Sequence, residues 1–446
     1  MVQQILFLIL AGGASAYAWT QFMAIRKTIL LGQDEVITGD TSARWRNVLL
    51  IAFGQKKMFK RWIPAVFHLF IYVAFLFTQV ELIEIFIDGV FGVHRFFASL
   101  LGGFYTLIIN TIEILSVLAF VATFIFLARR NLLKVPRLVK SELNGWPKLD
   151  ANLILIFEVI LLVAIFSMNG ADVVLQGRDP LHYHDTGFLA VSSWLGPALF
   201  GGLSDGALVL VERAGWWLHL GMVLLFLNYL PKSKHLHILL AFPNTFFARQ
   251  RPRGEMENMP AIMNEVKSMM GLAEDTGAAD EELPEFGAND ITTLSWIDVL
   301  GAYTCTECGR CSSVCPANAT GKQLSPRKIM MDIRDRADEV YTKIQSGKPE
   351  YAVDAEKPLD KTNFNDGKSL FDYITREELH ACTTCNACVE ACPVLINPLE
   401  PILKMRRYEI LTESAGPGSW LPMFNSIENS GAAWSMTIDR EEWTKA

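Results

Sequence analysis

Cys305-Thr306-Glu307-Cys308-Gly309-Arg310-Cys311-Ser312-Ser313-Val314-Cys315-Pro316 and Cys382-Thr383-Thr384-Cys385-Asn386-Ala387-Cys388-Val389-Glu390-Ala391-Cys392-Pro393 hold all eight cysteines of a 446-residue chain. Both copies keep the spacing C-x2-C-x2-C-x3-C-P. A tight turn of three cysteines supplies three corners of a cubane iron-sulfur cluster. In proteins with two such clusters, the fourth cysteine, before proline, serves the other cluster. The spacing therefore predicts a crossed arrangement. Cys305, Cys308, Cys311 and Cys392 hold one [4Fe–4S] cluster, and Cys382, Cys385, Cys388 and Cys315 hold the other. Small neighbours such as Gly309, Ser312, Ser313, Asn386 and Ala387 let backbone N–H groups approach the sulfurs. A zinc ribbon would separate its thiols into distinct C-x2-C pairs, and disulfides would leave the repeat without a purpose.

Upstream of these loops the chain is strongly apolar. It is 51% hydrophobic with a mean hydropathy of +0.25, too apolar for an ordinary soluble protein of this size. Five stretches, near residues 3–25, 62–87, 100–128, 151–175 and 207–230, suit membrane-crossing helices. The first resembles a signal peptide at Ala14-Ser15-Ala16-Tyr17-Ala18, but its basic residues, Arg26 and Lys27, follow the apolar run. It reads as a retained span.

Charge sets the expected topology. The first loop carries Arg26, Lys27, Arg44, Arg46, Lys56, Lys57, Lys60 and Arg61. The third carries Arg129, Arg130, Lys134, Arg137, Lys140 and Lys148. Lys232, Lys234, Arg249, Arg251 and Arg253 follow the last span. The second loop, with Glu84, Asp88 and Arg95, and the fourth, with Asp172, Asp179, Asp185, Asp205 and Glu212, lack that basic excess. The reading is a multi-pass protein of the cytoplasmic (inner) membrane, N-terminus outside and cysteine loops in the cytoplasm, where reducing conditions favour thiolates. A net charge of −7 gives no sign of nucleic-acid binding. Membrane lipid is the expected surroundings.

The expected fold is an all-α membrane bundle of five transmembrane helices plus a mainly α-helical cytoplasmic ferredoxin-like domain with two [4Fe–4S] clusters. The expected domains are 1–247, the membrane haem b and quinone domain; 248–292, an acidic linker; 293–410, the dicluster domain; and 411–446, a partner-docking tail. A short helix near 259–272 precedes the acidic run Asp275, Asp280, Glu281 and Glu282, which reads as a solvated tether. Helices are expected at 294–303, 325–341, 376–381 and 398–413, and an exposed polar loop at about 345–370.

Ionisable residues within membrane spans point to function. His68 lies on the second span and His219 on the fifth; His235 and His237 follow the fifth. Imidazole is a good axial ligand for haem iron. On a continuous helix His219 stands 18 residues before His237, about 27 Å, which places it near the outer face. His68 and His237 share the inner depth and form one candidate haem site, while a second haem at His219 needs another ligand, for which His94 is the nearest candidate. The competing readings are a packed interhelical histidine at His68 and interfacial cations at His235 and His237. His182, His184 and His380 read as ordinary polar positions. Glu81, Glu84, Glu113 and Glu158 read either as proton relays to a quinone or as interhelical hydrogen-bonding groups. Trp45, Trp62, Trp216 and Trp217 read as interfacial anchors.

With these residues in view, the membrane half resembles the haem-b-containing gamma subunit of respiratory nitrate reductase and the membrane subunit of heterodisulfide reductase. The resemblance rests on five spans, an early His68 in the second, and Trp216-Trp217-Leu218-His219 followed by Tyr229-Leu230-Pro231-Lys232-Ser233-Lys234-His235-Leu236-His237. It implies that His219, His237 and His68 are haem ligands, one or two haems in all, and it favours His237 over His235. The remaining ligand of that pattern falls at Thr78, a departure that leaves the outer haem without it. The cysteine half resembles the dicluster subunit of heterodisulfide reductase. Met423-Phe424-Asn425-Ser426-Ile427-Glu428-Asn429-Ser430-Gly431-Ala432-Ala433-Trp434 resembles the segment that in longer relatives leads into a Cys-Cys-Gly catalytic region. No adjacent cysteine pair occurs in this sequence. The resemblance implies an electron-transfer subunit of a quinone-linked oxidoreductase, working between quinone or quinol and a separate cytoplasmic redox subunit of Cys-Cys-Gly or flavoprotein type. The alternative is a haem-free, membrane-tethered ferredoxin-like recruitment module.

Overall fold

The computed structural model describes residues 1–252, 254–272, 286–434 and 441–445. The acidic run of Asp275, Asp280, Glu281 and Glu282, with Arg253 and residues 435–440 of the tail, lies outside the described residues. Among the described residues the chain is helical, with no β-strand and only two isolated bridges.

Five helices long and apolar enough to cross a membrane occur where the sequence places them: α1 (Val2–Ile29), α2 (Trp62–Phe91), α3 (Gly103–Asn131), α4 (Trp146–Arg178) and α5 (Asp205–Tyr229). At 25 to 33 residues for α5 and α4, they reach about 38–50 Å. That exceeds a hydrocarbon core of about 30 Å, so their ends project into the interfaces. α2 stops where Gly92, at φ +70°, turns left-handed and donates its N–H to Asp88 O, a conformation glycine adopts without cost. α4 and α5 meet closely at Gly215, where a Cβ would stand 2.8 Å from Met168 N and 2.9 Å from Ala164 O. Small residues permit this approach where lipid offers no hydrophobic drive to association.

Two shorter helical pieces adjoin the long helices. Thr41–Asn47, capped by the Asp40 carboxylate on Ser42 N and Ala43 N, runs into a π-helical segment at Val48–Phe53. Ser192–Phe200 forms a short helix in the fourth loop.

After α5 the chain does not run on as one helix. It ends at Tyr229, passes through two 3-10 turns on either side of Ser233, and restarts as α6 (His237–Phe247). The iron-sulfur half adds α7 (Trp296–Thr304), α8 (Pro326–Ser346), α9 (Ala387–Ala391) and α10 (Leu399–Arg407). Pro260–Met269 supplies the short helix expected in the linker. The core built from Leu294, Val299, Ile329, Ile333, Leu379 and Met405 continues into Ile25, Ile29 and Leu31 at the C-terminal end of α1. The two halves therefore share apolar contacts. The polar insertion is less free than its composition suggests, because fully buried Arg336 binds Asp366 at 2.7 Å and Asp290 at 2.6 Å. A buried guanidinium requires such partners.

Candidate functional site

Each cysteine loop owes its shape to a pair of left-handed residues, Glu307 (φ 55°) with Gly309 (φ 68°), and Thr384 (φ 54°) with Asn386 (φ 59°). Such turns direct successive backbone N–H groups inward and favour anions. All eight cysteines are free. Cys392 lies within charge-interaction range of Cys305, Cys308 and Cys311, and Cys315 within range of Cys382 and Cys388, with Cys385 beside them. The structure thus brings the thiols together in the crossed grouping. Cys311 of the first ring also interacts with Cys388 of the second, so the rings are neighbours.

Burial pushes the Cys305 and Cys388 thiols up to about 12 and Cys392 up to about 11. Thiolates at such positions require strong positive charge, which iron supplies. Cys392 Sγ also accepts the Ile396 N–H at 3.3 Å. Among the described residues no three of these side chains close tightly enough for a single metal ion, and the fit is to the wider ring a cluster occupies. Cys385 is exposed whereas Cys315, Cys388 and Cys392 are buried, so the second ring has an open side.

The first ring faces the membrane half. Arg310, between two of its cysteines, donates to Met58 O at 3.2 Å; Arg61 donates to Ser313 Oγ at 2.6 Å; Arg137 donates to Cys308 O. Arg327 donates to Arg137 O at 2.6 Å and pairs with Glu142 at 2.7 Å. Lys234 and Arg334 grip Glu307, and although burial alone would raise its carboxyl, they hold it below the usual range. Both basic loops and the segment after α5 therefore lie on the side of the cysteine loops. Part of the basic excess is spent on this contact, a role the charge count did not reveal.

His68 and His237 have parallel environments. His68 Nδ1 lies 3.1 Å from Gln55 Oε1, and His237 Nδ1 lies 3.0 Å from Lys234 O. An acceptor at Nδ1 fixes the proton there and leaves Nε2 with its lone pair free for a metal. The His235 and His237 rings are 5.4 Å apart, and His68 is close enough to His237 and Arg310 to feel their charges. Beside the first cysteine ring, the chemistry of these residues fits haem b, which His68 and His237 would hold through Nε2. Gln55, at φ 48° after the π-helical segment, had no signal of function in the sequence.

Three expectations change. His219, buried at 2% exposure, stands ten residues before Tyr229, the last residue of α5, about 15 Å. The break after Tyr229 removes the continuous helix behind the 27 Å estimate, so His219 sits near mid-membrane. His94 is engaged elsewhere. Its Nε2 lies 3.1 Å from Asp172 Oδ1, in a cavity beside Glu212 and Arg213, seven residues or about 10 Å along α5 from His219. Trp216 is likewise no interfacial anchor: it is 7% exposed and packs on Phe7 and Trp217. Trp45 and Trp62 are exposed.

That cavity opens at the N-terminal ends of α1 and α5 and the C-terminal end of α2. Around it, Arg95 binds Asp172 at 2.7 Å, Tyr105 OH at 3.0 Å and Asn169 Oδ1 at 2.7 Å. Tyr105 donates to Glu84 at 2.7 Å. Glu113 accepts the Val191 N–H at 2.7 Å. Glu84 and Glu113 thus accept hydrogen bonds from neighbouring elements.

Comparison with known proteins fits the cysteine geometry. Residues 304–396 match the 4Fe-4S dicluster domain. The chain is 28% identical over 98% of its length to "Probable iron-sulfur-binding oxidoreductase FadF" of Bacillus subtilis, covering 60% of that protein. It is 25% identical over 91% of its length to "EtfAB:quinone oxidoreductase" of Syntrophomonas wolfei, covering 54% of it. Over 33% of its length it is 36% identical to "Probable membrane-anchored ferredoxin" of Chromohalobacter salexigens, covering 22% of that protein. The chain spans less than two thirds of the length of these relatives. No solved structure matches. The chain carries a 4Fe-4S dicluster domain and five apolar helices of membrane-crossing length.

Proposed function

We propose that this chain relays electrons between a separate soluble redox partner and the membrane quinone pool, through two [4Fe–4S] clusters and haem b held by His68 and His237. The observation that carries the reading is the order of the sites. Exposed Cys385 belongs to the outermost ring, Cys388 meets Cys311 of the inner ring, and Arg310 of that ring lies beside His68. Haem b, when bound, supplies a one-electron station within the membrane half. The chain holds it with the two Nε2 atoms and positions them through Gln55 and Lys234 O. The resemblance to heterodisulfide reductase and nitrate reductase gamma subunits supports the same ligands. The S. wolfei relative's name supports an electron-transfer flavoprotein as donor and quinone as acceptor. The basic loops beside the cysteine rings support a cytoplasmic iron-sulfur side and an outer N-terminus in the inner membrane.

A haem-free tethered ferredoxin is the second reading, favoured by the C. salexigens relative's name over the third of the chain that it matches. The dithionite-reduced minus oxidised optical spectrum of the purified protein separates the two. The relay requires b-type haem bands, and clusters without those bands would leave the tethered ferredoxin.

A further inference from the structure

Glu81 differs from every other acid around the outer cavity. It is 1% exposed, it lines the cavity, and neither carboxyl oxygen has a partner at hydrogen-bond distance among the described residues, although the Asn169 amide is near enough to act on it. Leaving such a group unsatisfied is costly, and an ionisable side chain at membrane depth is retained for function. Glu81, Glu84 and Asp88 are spaced by three and four residues, so they share one face of α2 and climb toward its outer end. Glu81 stands ten residues before Phe91, about 15 Å below that end. Arg95 and Glu84 are near enough to act on it electrostatically, as is Glu113 of α3. Apolar walls come from Ile85, Met168, Trp216 and Trp217, and an aromatic pair over a few directed polar groups suits a flat ring. His219 follows Trp216 by three residues, about 4.5 Å deeper along α5, with its Nδ1 unpartnered among the described residues.

We propose that this cavity seats the quinone ring, that Glu81 donates protons to it, and that Glu84 and Asp88 reload Glu81 from the outer aqueous face. The proposal rests on the quinone-linked reading above. Two electrons, delivered singly from a reduced flavoprotein through the clusters, and two protons, passed in turn by Glu81, convert quinone to hydroquinone. Two C=O π bonds are lost, two O–H bonds form, and no group leaves. Proton uptake is thereby confined to the outer face while electrons enter from the other.

The test uses the cofactor-loaded full chain in lipid nanodiscs. Binding of 2-heptyl-4-hydroxyquinoline N-oxide is read by quenching of tryptophan fluorescence. Reoxidation of reduced, desalted clusters by menadione is read optically, and the protonated-carboxyl band in the redox infrared difference spectrum is read alongside. Glu81→Gln should keep probe affinity within about twofold, slow reoxidation by about 100-fold or more, as removal of a general acid does, and lose the infrared band. Glu81→Asp should recover part of the rate. Reoxidation of Glu81→Gln at the wild-type rate, or a slow rate explained by lost probe binding, overturns the proposal while leaving the relay intact. A wild-type protein that menadione does not reoxidise overturns the quinone-linked reading and this inference with it.

Discussion

Asp298→Asn should loosen the iron-sulfur half from the membrane half by a predictable amount. Asp298, at 3% exposure, receives Arg249 at 2.7 Å and Lys404 at 2.9 Å. Arg249 also binds Glu35 at 2.7 Å. One buried carboxylate therefore joins α7, α10, the first loop and the segment after α6. Each charge-assisted bond is worth about 1.5–3 kcal/mol, and breaking a buried ion pair from one side costs about 3–5 kcal/mol. Glu35 keeps Arg249 partly satisfied, so the lower end applies, about 3 kcal/mol. At about 1.4 kcal/mol per tenfold, the α7 amides should open about 100 times more often, read by hydrogen exchange in nanodiscs. The sign of the pH dependence follows from the same contacts. Burial alone would raise the Asp298 carboxyl, but Arg249 and Lys404 outweigh it and hold it below the usual range. Its contribution is thus fully present above the unfolded value of about 3.9 and is lost as pH falls through the lower folded value. Protection of α7 should hold from pH 7 to 5 and decline below about pH 4, while the Asn variant lacks this component. Wild-type protection in Asp298→Asn, within twofold, would refute the reasoning.

Cys392→Ser should damage the cluster built on Cys305, Cys308 and Cys311, and Cys315→Ser the other; paramagnetic resonance showing the opposite assignment would reject the crossed grouping. Gln55→Leu removes the acceptor at His68 Nδ1 and should weaken haem retention by about 10–100-fold, the usual effect of an outer-shell partner; unchanged haem content on titration would remove Gln55 from the site. Gly215→Val places bulk against Ala164 O and Met168 N and should cost about 1–3 kcal/mol by overpacking, seen as a lower midpoint of thermal unfolding in detergent.

Much of this protein is legible in short stretches of chain. The cysteine spacing encodes one loop at a time, and α1 to α5 follow from uninterrupted apolar runs, because satisfaction of backbone hydrogen bonds within lipid leaves a helix as the only option for each. The same local logic misreads what depends on breaks and neighbours. Ser233 and the 3-10 turns around it interrupt a pattern that looks continuous, which moves His219 inward. Trp216 has the composition of an interfacial residue but faces Phe7.

The sequence by itself determined the eight thiols, their division into two loops, the five spans and the side on which the basic loops gather. Each is a property of residues a turn or a run apart. Only the tertiary structure decided that His68 comes close enough to His237 to feel its charge, that Gln55 and Lys234 O orient the two rings, and that His94 pairs with Asp172. It also separated Glu81, without a partner at hydrogen-bond distance among the described residues, from Glu84 and Glu113, which have them. Those distinctions join residues far apart in the chain, and only helix packing fixes which polar groups face one another and which buried group is left without a bond.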